Sequence, residues 1–408
     1  MSELRVRDRS ARMPGIARHG RLPKQSPWPG ILKFVAASLA VLLVSTVAVA
    51  AVVINSITAQ AETVVLVGET EGPPPQIGAI KGGFNILIVG SDTRVGQGGL
   101  GGTEDEVESE LNDVNILLHV SEDRTNATAI SFPRDMVVPI PNCPWRDGEG
   151  TKAWSTEPIN VALFYGGLPC AVMTVEELTG LPIQFAGLIT FQGVISMSDA
   201  IGGVDVCTTG PIEEAWIEGA GTWKLSGEQA LAFLRARKPI GDGSDISRIS
   251  SQQVYLSSLV RTLKSSETLT DVTKLYNLAN AAIGNMQLSS GLADPSTMVS
   301  IALALKDIPL ERVTFVQYPG RFGGEGIYAG KVQPVEWLGE QLMEQVRSDQ
   351  PFVLADVDGN RGSTVDPNAP AAPVDPDAPV VDNTDLPELS IMGQTAADYT
   401  CSVTRDDY

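Results

Sequence analysis

Three short apolar runs in the first half of the chain have the pattern of buried β-strands. They cover residues 84–92 (FNILIVGSD), 114–123 (VNILLHVSED) and 126–140 (NATAISFPRDMVVPI). Each run is rich in β-branched residues and nearly continuous in apolar ones, as is typical of strands covered on both faces. The pattern therefore predicts a sheet whose central strands lie in the core of a domain.

Amphipathic segments alternate with further strands after these runs. Residues 170–180 and 191–203 each end in glycine, as helices commonly do. Ser226 and Gln229 have the spacing of a capping box, in which each residue bonds the other's backbone N–H. This spacing predicts a helix that begins at Ser226 and runs to about Arg237.

A longer helix is predicted from about Asp245 through Leu263, and two more helices around one strand follow it. Strands and helices mixed in this order indicate the α/β fold class. We expect a single layered α-β-α domain with a central mixed sheet, which spans residues 82–350.

An uncharged apolar run occupies residues 34–54 and follows a basic arm at residues 1–33. The run has the length needed to cross a bilayer, whereas a cleaved signal peptide usually has an apolar region of roughly 7–15 residues. An uncleaved transmembrane helix is therefore favoured over a cleaved signal peptide. By the positive-inside rule, the arm is cytoplasmic and the domain lies outside the cell membrane.

Two polar segments complete the predicted organisation. Residues 55–81 include a proline run and are interpreted as an extracellular stalk. Residues 351–408 begin with a segment rich in Asp, Pro and Ala, and are interpreted as a disordered linker and a C-terminal tail.

The charge distribution excludes nucleic acid as a partner of the main body. The net charge is −20, although residues 1–33 carry eight Lys and Arg against two acidic residues. The remainder is therefore strongly acidic, whereas neutralisation of a phosphate backbone needs a basic surface.

Four cysteines, Cys143, Cys170, Cys207 and Cys401, all follow the predicted membrane span. An even number in an oxidising compartment indicates two disulfides, and three pairings are possible. Because Cys401 lies beyond the linker, we expect a disulfide to tie the tail back to the domain. No spacing typical of a zinc site occurs.

Histidine is a poor candidate for catalysis in this chain. Only His19 and His119 are present; His19 belongs to the basic arm and His119 to an apolar strand, where a buried, hydrogen-bonded histidine is the favoured interpretation. The sequence also lacks a GxSxG elbow. A Ser-His-Asp or Cys-His hydrolase therefore has little support.

Arginines are concentrated between residues 225 and 253, around a glycine-rich turn. Arg235, Arg237 and Arg248 offer planar guanidinium groups that fit phosphate oxygens in pairs. Ordinary solvated helix arginines are the alternative interpretation. Taken alone, the pattern leaves both open.

Carboxylates at strand ends favour the phosphate interpretation. Asp92 follows the first strand and Asp113 precedes the second, at positions where α/β sheets bind ligands. Two carboxylates so placed form a candidate Mg²⁺ site, although each alone is more often a turn or cap residue. Arg134 closes the third strand and adds a further guanidinium. Together these residues indicate electrostatic handling of a pyrophosphate or phosphoryl group.

Several motifs in order resemble the LytR-CpsA-Psr (LCP) family in its actinobacterial form. They are GSDTR at 90–94, NDVNILLHVS at 112–121, SFPRDMVV at 131–138, PINVALFYGG at 158–167, the block from VEELTGLPI to SDAIGGVDV, and LSGEQALAFLRARK with GDGSDISRISSQQ. The resemblance covers about residues 82–270. It implies a membrane-anchored phosphotransferase that moves a glycan from a polyprenyl diphosphate carrier onto peptidoglycan or a protein acceptor.

The resemblance also implies a role for each site residue. The implied metal ligands for Mg²⁺ are Asp92 and Asp113, and the implied catalytic and diphosphate-binding arginines are Arg134, Arg235, Arg237 and Arg248. Gln252 and Asn160 join the substrate-binding set. The prenyl chain is expected in a hydrophobic tunnel between sheet and helices, with apolar residues of 185–206 as candidates.

Three positions depart from the family pattern. Pro158, Leu111 and Ser251 stand where the family usually has a lysine or an arginine. Lys152 or Lys238 could replace the missing charge. The alternative function is a non-catalytic or weakly active protein that binds polyprenyl phosphate lipids. Transcriptional regulation is disfavoured, because the cytoplasmic arm is too short for a helix-turn-helix domain.

Overall fold

The computed structural model describes residues 28, 31–41, 44–45, 62–69, 83–92, 110–265, 271–355, 362–369 and 383–405. The chain divides into two compact units, Met1–Asn55 and Ser56–Tyr408. In the first unit, an apolar helix α1 covers Ile31–Val41. Most of the predicted membrane span at 34–54 lies outside the described residues, as do residues 1–27 of the basic arm.

The second unit contains eighteen described strands. They are β1 Glu62–Val64, β2 Phe84–Ser91, β3 Asn112–Val120, β4 Ala127–Ser131, β5 Val137–Ile140, β6 Ser155–Pro158, β7 Phe185–Ile189, β8 Val204–Thr208, β9 Gly221–Leu225, β10 Met286–Ser289, β11 Val313–Gln317, β12 Gly320–Phe322, β13 Val332–Pro334, β14 Val353–Leu354, β15 Ser363–Val365, β16 Glu388–Leu389, β17 Gly393–Thr395 and β18 Thr400–Ser402.

Seven helices of this unit are described as well. They are α2 Ala162–Thr179, α3 Phe191–Ala200, α4 Gly227–Arg235, α5 Asp245–Ser265, α6 Val272–Asn285, α7 Pro295–Lys306 and α8 Glu336–Arg347. The long helix predicted from Asp245 is confirmed as α5, and both helices predicted to end in glycine are confirmed as α2 and α3.

The main sheet has eight strands in the order β1-β10-β7-β2-β3-β4-β11-β17. The pairs β1–β10, β2–β7 and β4–β11 are parallel, and the other neighbours are antiparallel. The predicted mixed sheet is therefore confirmed. All three apolar runs found in the sequence contribute strands to it, and β2 and β3 take its central positions.

Helices cover both faces of this sheet. On one face, alternate residues such as Leu87 and Leu117 pack with α2 and α8. On the other face, residues such as Phe84 and Val120 pack with α6 and α7. Alternation along each strand divides the apolar side chains between two cores. The predicted α-β-α layering is confirmed.

Helix α2 is the core helix of the first face and contains a kink. Gly166 and Gly167 depart from helical geometry, with φ of −134° and 63°, and Pro169 follows them. The stretch Ile159–Thr179 is apolar and long enough to cross a membrane, but 67% of its most apolar window is buried inside the domain. Within the described residues its burial is that of a core element.

A smaller sheet, β15-β18-β8-β9, packs against α4 and α5 around a separate core. Its strands β15 and β18 come from residues 351–408, which we had expected to form a disordered linker and tail. The described parts of that segment also supply β17 to the main sheet. These strands have only three residues each and a polar composition, so no apolar periodicity marks them.

Two disulfides join the four cysteines, Cys143–Cys170 and Cys207–Cys401. The second pair confirms that the tail is tied back to the domain. It links β18 to β8, where the two cysteines face each other in parallel register. Beside this bridge, Gly241 N–H donates to Val403 O at 2.9 Å, and Arg405 N–H donates to Pro239 O at 2.8 Å. The tail thereby supports the connection between α4 and α5.

Two local predictions have different outcomes. The capping box is wrong: Ser226 precedes α4 without a side-chain cap bond, and Gln229 Nε2 instead donates to Ala215 O at 3.0 Å. His119 is confirmed as a buried, hydrogen-bonded core residue, with Nδ1 2.9 Å from Asn85 Oδ1 and Nε2 2.9 Å from Asp349 Oδ1. Burial lowers its pKa, and the Asp349 carboxylate opposes that effect.

Replacing Cys207 and Cys401 together by alanine should lower the free energy of unfolding by about 2–5 kcal/mol, because the bridge closes a long loop in the unfolded chain. Urea unfolding of the full-length chain measures this loss, and hydrogen exchange at the Gly241 amide should become faster.

The matched control is the alanine pair at Cys143 and Cys170. Its sequence separation of 27, against 194 for the other bridge, should make the entropic loss smaller by about 1–2 kcal/mol. An unchanged unfolding curve and unchanged Gly241 exchange in the first variant would contradict a structural role for the tail.

Candidate functional site

Polar residues converge beside the first turn of α5, where β2 and β4 end and β3 begins. Asp92 follows β2, Asp113 is the second residue of β3, and Arg134 follows β4 through Pro133. Antiparallel pairing of β3 with both neighbours brings its start next to the ends of β2 and β4. Arg248 reaches the same point from α5, so residues far apart in sequence meet at one edge of the sheet.

Asp113 is the centre of an ion-pair network. Arg134 Nη1 lies 2.6 Å from Asp113 Oδ1, and Arg248 Nη1 lies 3.8 Å from Asp113 Oδ2. Arg248 Nη2 also donates to the backbone oxygen of Asp113 at 2.8 Å. Both guanidinium groups are therefore held by the residue that the sequence predicted as a metal ligand.

Asp245 completes this network and was missed in the sequence. Its side chain is 4% exposed, with Oδ1 2.6 Å from Arg248 Nη2. Its Oδ2 accepts the backbone N–H of Arg134 at 3.3 Å. The available sign was its spacing of three from Arg248, which places both side chains on one face of a helix. Below, Asp113, Arg134, Asp245 and Arg248 are called the charged cluster.

The charged cluster retains hydrogen-bonding capacity. Among the described residues, the Nε atoms of Arg134 and Arg248 are buried and have no hydrogen-bond partner. The Oδ1 atom of Asn160 is also buried without a hydrogen-bond partner. Buried donors without partners are costly unless a ligand or water meets them. Arg134 Nε lies 3.8 Å from both Asp135 Oδ2 and Asp245 Oδ1, so its charge is compensated although it forms no hydrogen bond.

Asp92 lies next to the charged cluster. Its Oδ1 accepts the backbone N–H of Leu111 at 2.9 Å. Burial raises the pKa of the Asp92 carboxyl, the Leu111 bond opposes this, and the charge of Asp113 raises it further. Two carboxylates that repel each other at one partly buried point have the chemistry of a hard-cation site. Asp92 and Asp113 are therefore the candidate ligands for a hard cation, with both oxygens of Asp113 paired with arginines in this structure.

The remaining predicted residues surround the cluster without joining its ion pairs. Arg235, exposed at the end of α4, lies with its guanidinium carbon 4.2 Å from the Phe191 ring centre. Arg237 is half-buried in the connection to α5. Gln252 Nε2 donates to Leu234 O at 2.9 Å and so joins α5 to the end of α4. Asn160 donates its backbone N–H to Arg134 O at 3.2 Å.

An accessible apolar surface begins beside the charged cluster. On the sheet face towards α5 and α6, the central-strand residues Ile88, Ile116 and Leu118 are only partly buried. On the opposite face, Leu87 and Leu117 are 0% exposed. Side chains in the middle of a covered sheet retain such access only where the covering helices leave space. We call this region the apolar face.

Helix α5 connects the charged cluster to the apolar face. Arg248, Gln252, Leu256 and Val260 are four residues apart in turn and share one side of the helix. The first two are polar, whereas Leu256 and Val260 are partly buried against the core of the apolar face. One helix therefore presents a charged end followed by an apolar stretch.

The predicted tunnel residues at 185–206 divide between two cores. Ile189 and Met197 pack beside the apolar face, and Phe185 is fully buried there. Val204 and Val206 belong to the separate core of the smaller sheet, so their assignment to the tunnel is wrong. The physical reason is that β8 leaves the main sheet and pairs with β9 and β18.

The three departures from the family pattern have structural explanations. Leu111 holds Asp92 through its backbone, and Pro158 ends β6 opposite Val137. Ser251 is 1% exposed and its Oγ lies 2.8 Å from Ser402 Oγ of the tail. Ser251 therefore faces the tail rather than the charged cluster.

Neither lysine offered as compensation is seen in the charged cluster. Lys152 Nζ lies 3.5 Å from Glu157 Oε1 and 4.3 Å from the ring centre of Tyr165. Lys238 is exposed in the connection between α4 and α5. Lys152 therefore does not replace the missing charges, because its ammonium group contacts Glu157 and Tyr165.

Comparison with known proteins identifies several relatives, two of which are described here. The cell wall biosynthesis protein LcpA of Corynebacterium glutamicum is 28% identical over 286 residues, which is 63% of this chain and 54% of that protein. The polyisoprenyl-teichoic acid–peptidoglycan teichoic acid transferase TagT of Bacillus subtilis is 24% identical over 282 residues, 66% of this chain and 76% of that protein. The matched region thus spans about half the length of LcpA.

A solved structure described as TagT bound to LIIa-WTA has the same fold. Its TM-score is 0.51 at 21% identity, and the match covers 70% of this chain and 98% of that one. The family model described as the LytR_cpsA_psr family matches residues 49–345, which include the charged cluster, Asp92 and the apolar face. The chain belongs to the LytR-CpsA-Psr family.

Proposed function

We propose that this protein transfers a glycan from a polyprenyl diphosphate carrier to peptidoglycan or a protein acceptor in assembly of the cell envelope. The relatives support the class of reaction, since TagT is named as a transferase of polyisoprenyl-linked teichoic acid to peptidoglycan. The observation that most strongly supports this substrate is that the charged cluster continues into the apolar face along α5. A diphosphate joined to a long hydrocarbon needs both surfaces side by side.

The charged cluster is suited to the diphosphate part of the substrate. Arg134 and Arg248 approach Asp113 from two different parts of the fold. Phosphate oxygens would accept hydrogen bonds from these guanidinium groups. Asp245 keeps Arg248 in place through its ion pair with Nη2. Arg235 is exposed at the end of α4 and Arg237 is half-buried just after it, and both are proposed to attract the negatively charged substrate.

The proposed reaction is a displacement at phosphorus. The acceptor hydroxyl oxygen forms a bond to the phosphorus that carries the glycan, and the bond from that phosphorus to polyprenyl phosphate breaks. Polyprenyl phosphate leaves with the electron pair of that bond, and the proton of the hydroxyl passes to the departing phosphate. Charge spreads over the phosphoryl oxygens in the transition state, so fixed guanidinium groups stabilise it without reorganising. The chain's own task is therefore to bind, orient and neutralise the diphosphate.

Asp92 and Asp113 are the residues proposed to hold Mg²⁺. When bound, the ion would supply positive charge at the phosphate oxygens of the substrate. The two arginines hold the Asp113 carboxylate in position. The N–H group of Leu111 holds Asp92 through a hydrogen bond.

The membrane anchor is also part of the proposal. The apolar run at 34–54 follows eight basic residues in the arm, and α1 is helical over Ile31–Val41. A helix at this position would keep the domain next to the bilayer that contains the carrier lipid. The two disulfides agree with a domain outside the cell.

A non-catalytic lipid-binding protein is the second candidate. Asp113 already neutralises two arginines in the cluster, and Ser251 adds no charge. Such a protein would retain polyprenyl phosphate on the apolar face without turnover. Transfer assays separate the two functions, because only the enzyme releases polyprenyl phosphate from a diphosphate-linked sugar.

Arg248→Lys should lower the rate of polyprenyl phosphate release by at least about 100-fold, the typical effect of losing one fixed donor at a developing charge. Lysine keeps a charge beside Asp245 but loses the guanidinium fork. The assay uses full-length protein in detergent with polyprenyl diphosphate-linked N-acetylglucosamine and peptidoglycan.

Arg321→Lys is the matched control, since Arg321 is exposed on β12 and bonded to Gln333. It should react like the wild type. Thermal unfolding of both variants tests whether the fold is retained. A folded Arg248→Lys protein with wild-type turnover would refute the proposed role, and a wild type that binds the lipid without any turnover would favour the second candidate.

Removal of Mg²⁺ by EDTA should abolish release, and added Mg²⁺ should restore it. Asp92→Asn should raise the Mg²⁺ concentration required for half-maximal rate by about tenfold or more, since loss of even an outer partner of a metal site has this effect. Asp205→Asn, at an exposed residue of β8, is the control and should require the wild-type concentration. Full activity in EDTA would show that the carboxylates serve another purpose.

A further inference from the structure

An exposed aromatic cluster lies at the start of α2 and the loop before it. Trp145 is 37% exposed and Phe164 is 47% exposed. The ring centres of Trp145 and Tyr165 are 5.8 Å apart, and those of Phe164 and Tyr165 are 5.6 Å apart. Contiguous exposed apolar side chains mark binding surfaces, whereas scattered ones do not. We call these three residues the aromatic platform.

Several contacts hold the platform rigid. Tyr165 Oη donates to Glu157 Oε2 at 2.7 Å, and Lys152 Nζ lies over the ring of Tyr165 at 4.3 Å. Arg146 N–H donates to Tyr165 O at 3.1 Å, which fixes the loop of Trp145 on α2. A surface that is ordered before binding loses little entropy when a ligand arrives.

The kink in α2 allows the loop that contains Trp145 to approach the helix closely. A Cβ at Gly166 would lie 2.4 Å from Pro144 O, so only glycine fits. The bridge between Cys143 and Cys170 fastens the same two segments on either side of this contact. The backbone is therefore built to hold Trp145 next to Phe164 and Tyr165.

A cavity of about 910 Å³ adjoins the platform. Trp145, Arg146 and Glu110 line the part next to the platform together with polar groups such as Gln192, and aliphatic residues such as Leu188 line the rest. A smaller depression of about 330 Å³ lies between Trp145, Arg146, Asp147 and the other two aromatic residues. Aromatic rings next to charged and amide groups match a sugar, whose ring presents C–H bonds on one face and hydroxyls at its edge.

Hydrogen bonds connect the platform to the site. Arg146 Nη1 lies 2.5 Å from Glu110 Oε2, and Glu110 Oε1 accepts from Ser91 Oγ at 3.0 Å. Ser91 directly precedes Asp92. The platform therefore adjoins the end of β2, whereas Arg134 and Arg248 approach from β4 and α5.

This placement distinguishes acceptor from donor. In a displacement at phosphorus, the attacking and leaving oxygens lie roughly in line on opposite sides. The apolar face and the charged cluster account for the leaving polyprenyl phosphate. The end of β2 with the platform is then the side from which the acceptor arrives.

We propose that Trp145, Phe164 and Tyr165 bind a sugar ring of the acceptor glycan and orient its hydroxyl towards Asp92 and the charged cluster. This inference rests on the proposed transferase function and assigns its acceptor subsite to a saccharide.

The test is binding of a tetrasaccharide of alternating N-acetylglucosamine and N-acetylmuramic acid to the full-length protein by calorimetry. Trp145→Ala and Phe164→Ala should each weaken binding by at least about tenfold, which corresponds to about 1.4 kcal/mol. Trp145→Phe should recover part of the affinity. Trp337→Ala, at an exposed tryptophan of α8 that is 64% exposed, is the matched control and should bind like the wild type.

Kinetics then identify the source of the sugar. Trp145→Ala should raise the KM for the tetrasaccharide acceptor more than the KM for polyprenyl diphosphate-linked N-acetylglucosamine. The reverse pattern would assign the platform to the donor's sugar and overturn the acceptor subsite. Wild-type affinity in the folded Trp145→Ala and Phe164→Ala proteins would overturn a saccharide site altogether. Failure of the transferase proposal is distinguishable, because tetrasaccharide binding would persist without release of polyprenyl phosphate.

Discussion

Four charged side chains at one edge of the main sheet must neutralise one another, because Asp245 and Arg248 are almost completely buried. Removing one partner of such a buried pair typically costs about 3–5 kcal/mol, since the other charge is left without compensation. Asp113 and Arg134 extend the network to the ends of β3 and β4. The domain is therefore stable only when this edge of the sheet packs against the first turn of α5. That packing also places two guanidinium groups, those of Arg134 and Arg248, side by side.

Parts of the structure far from the charged cluster serve this arrangement. The tail packs along α5 so closely that a Cβ on Gly362 would lie 2.0 Å from Ser247 O. Ser402 bonds Ser251, and Gly241 bonds Val403, so the tail fixes the arginine-bearing connection from outside. A position that the sequence presented as a lost cationic group is thus a packing contact. The stretch with Arg235, Arg237 and Arg248 is held by the tail on one side and presents its charges on the other.

The sequence predicted the architecture well where periodicity was strong. Strands β2, β3 and β4 were recognised because their apolar residues fill the two cores of the main sheet. Helix α5 was recognised from residues four apart, such as Arg248 and Gln252, which share one helix face. Asp113, Arg134 and Arg248 each had an ordinary structural explanation when taken alone. They were found because carboxylates and arginines are gathered at strand ends and around one glycine-rich turn, and because the ordered motifs resemble the family. Asp245 was missed, since its partner Arg134 is 111 positions away in sequence. Strands of three residues in the tail carry too few side chains to show a period, and Gln229 found a partner outside its own helix.

We propose that one surface, formed by the charged cluster and the apolar face, binds both ends of a polyprenyl diphosphate. The decisive measurement is a crystal structure of the protein with a short-chain polyprenyl diphosphate. We expect the diphosphate oxygens within hydrogen-bond distance of Arg134 and Arg248, and the hydrocarbon against Ile88, Ile116 and Leu256. A hydrocarbon chain bound in the cavity beside Trp145, or a diphosphate without contact to either arginine, would contradict it.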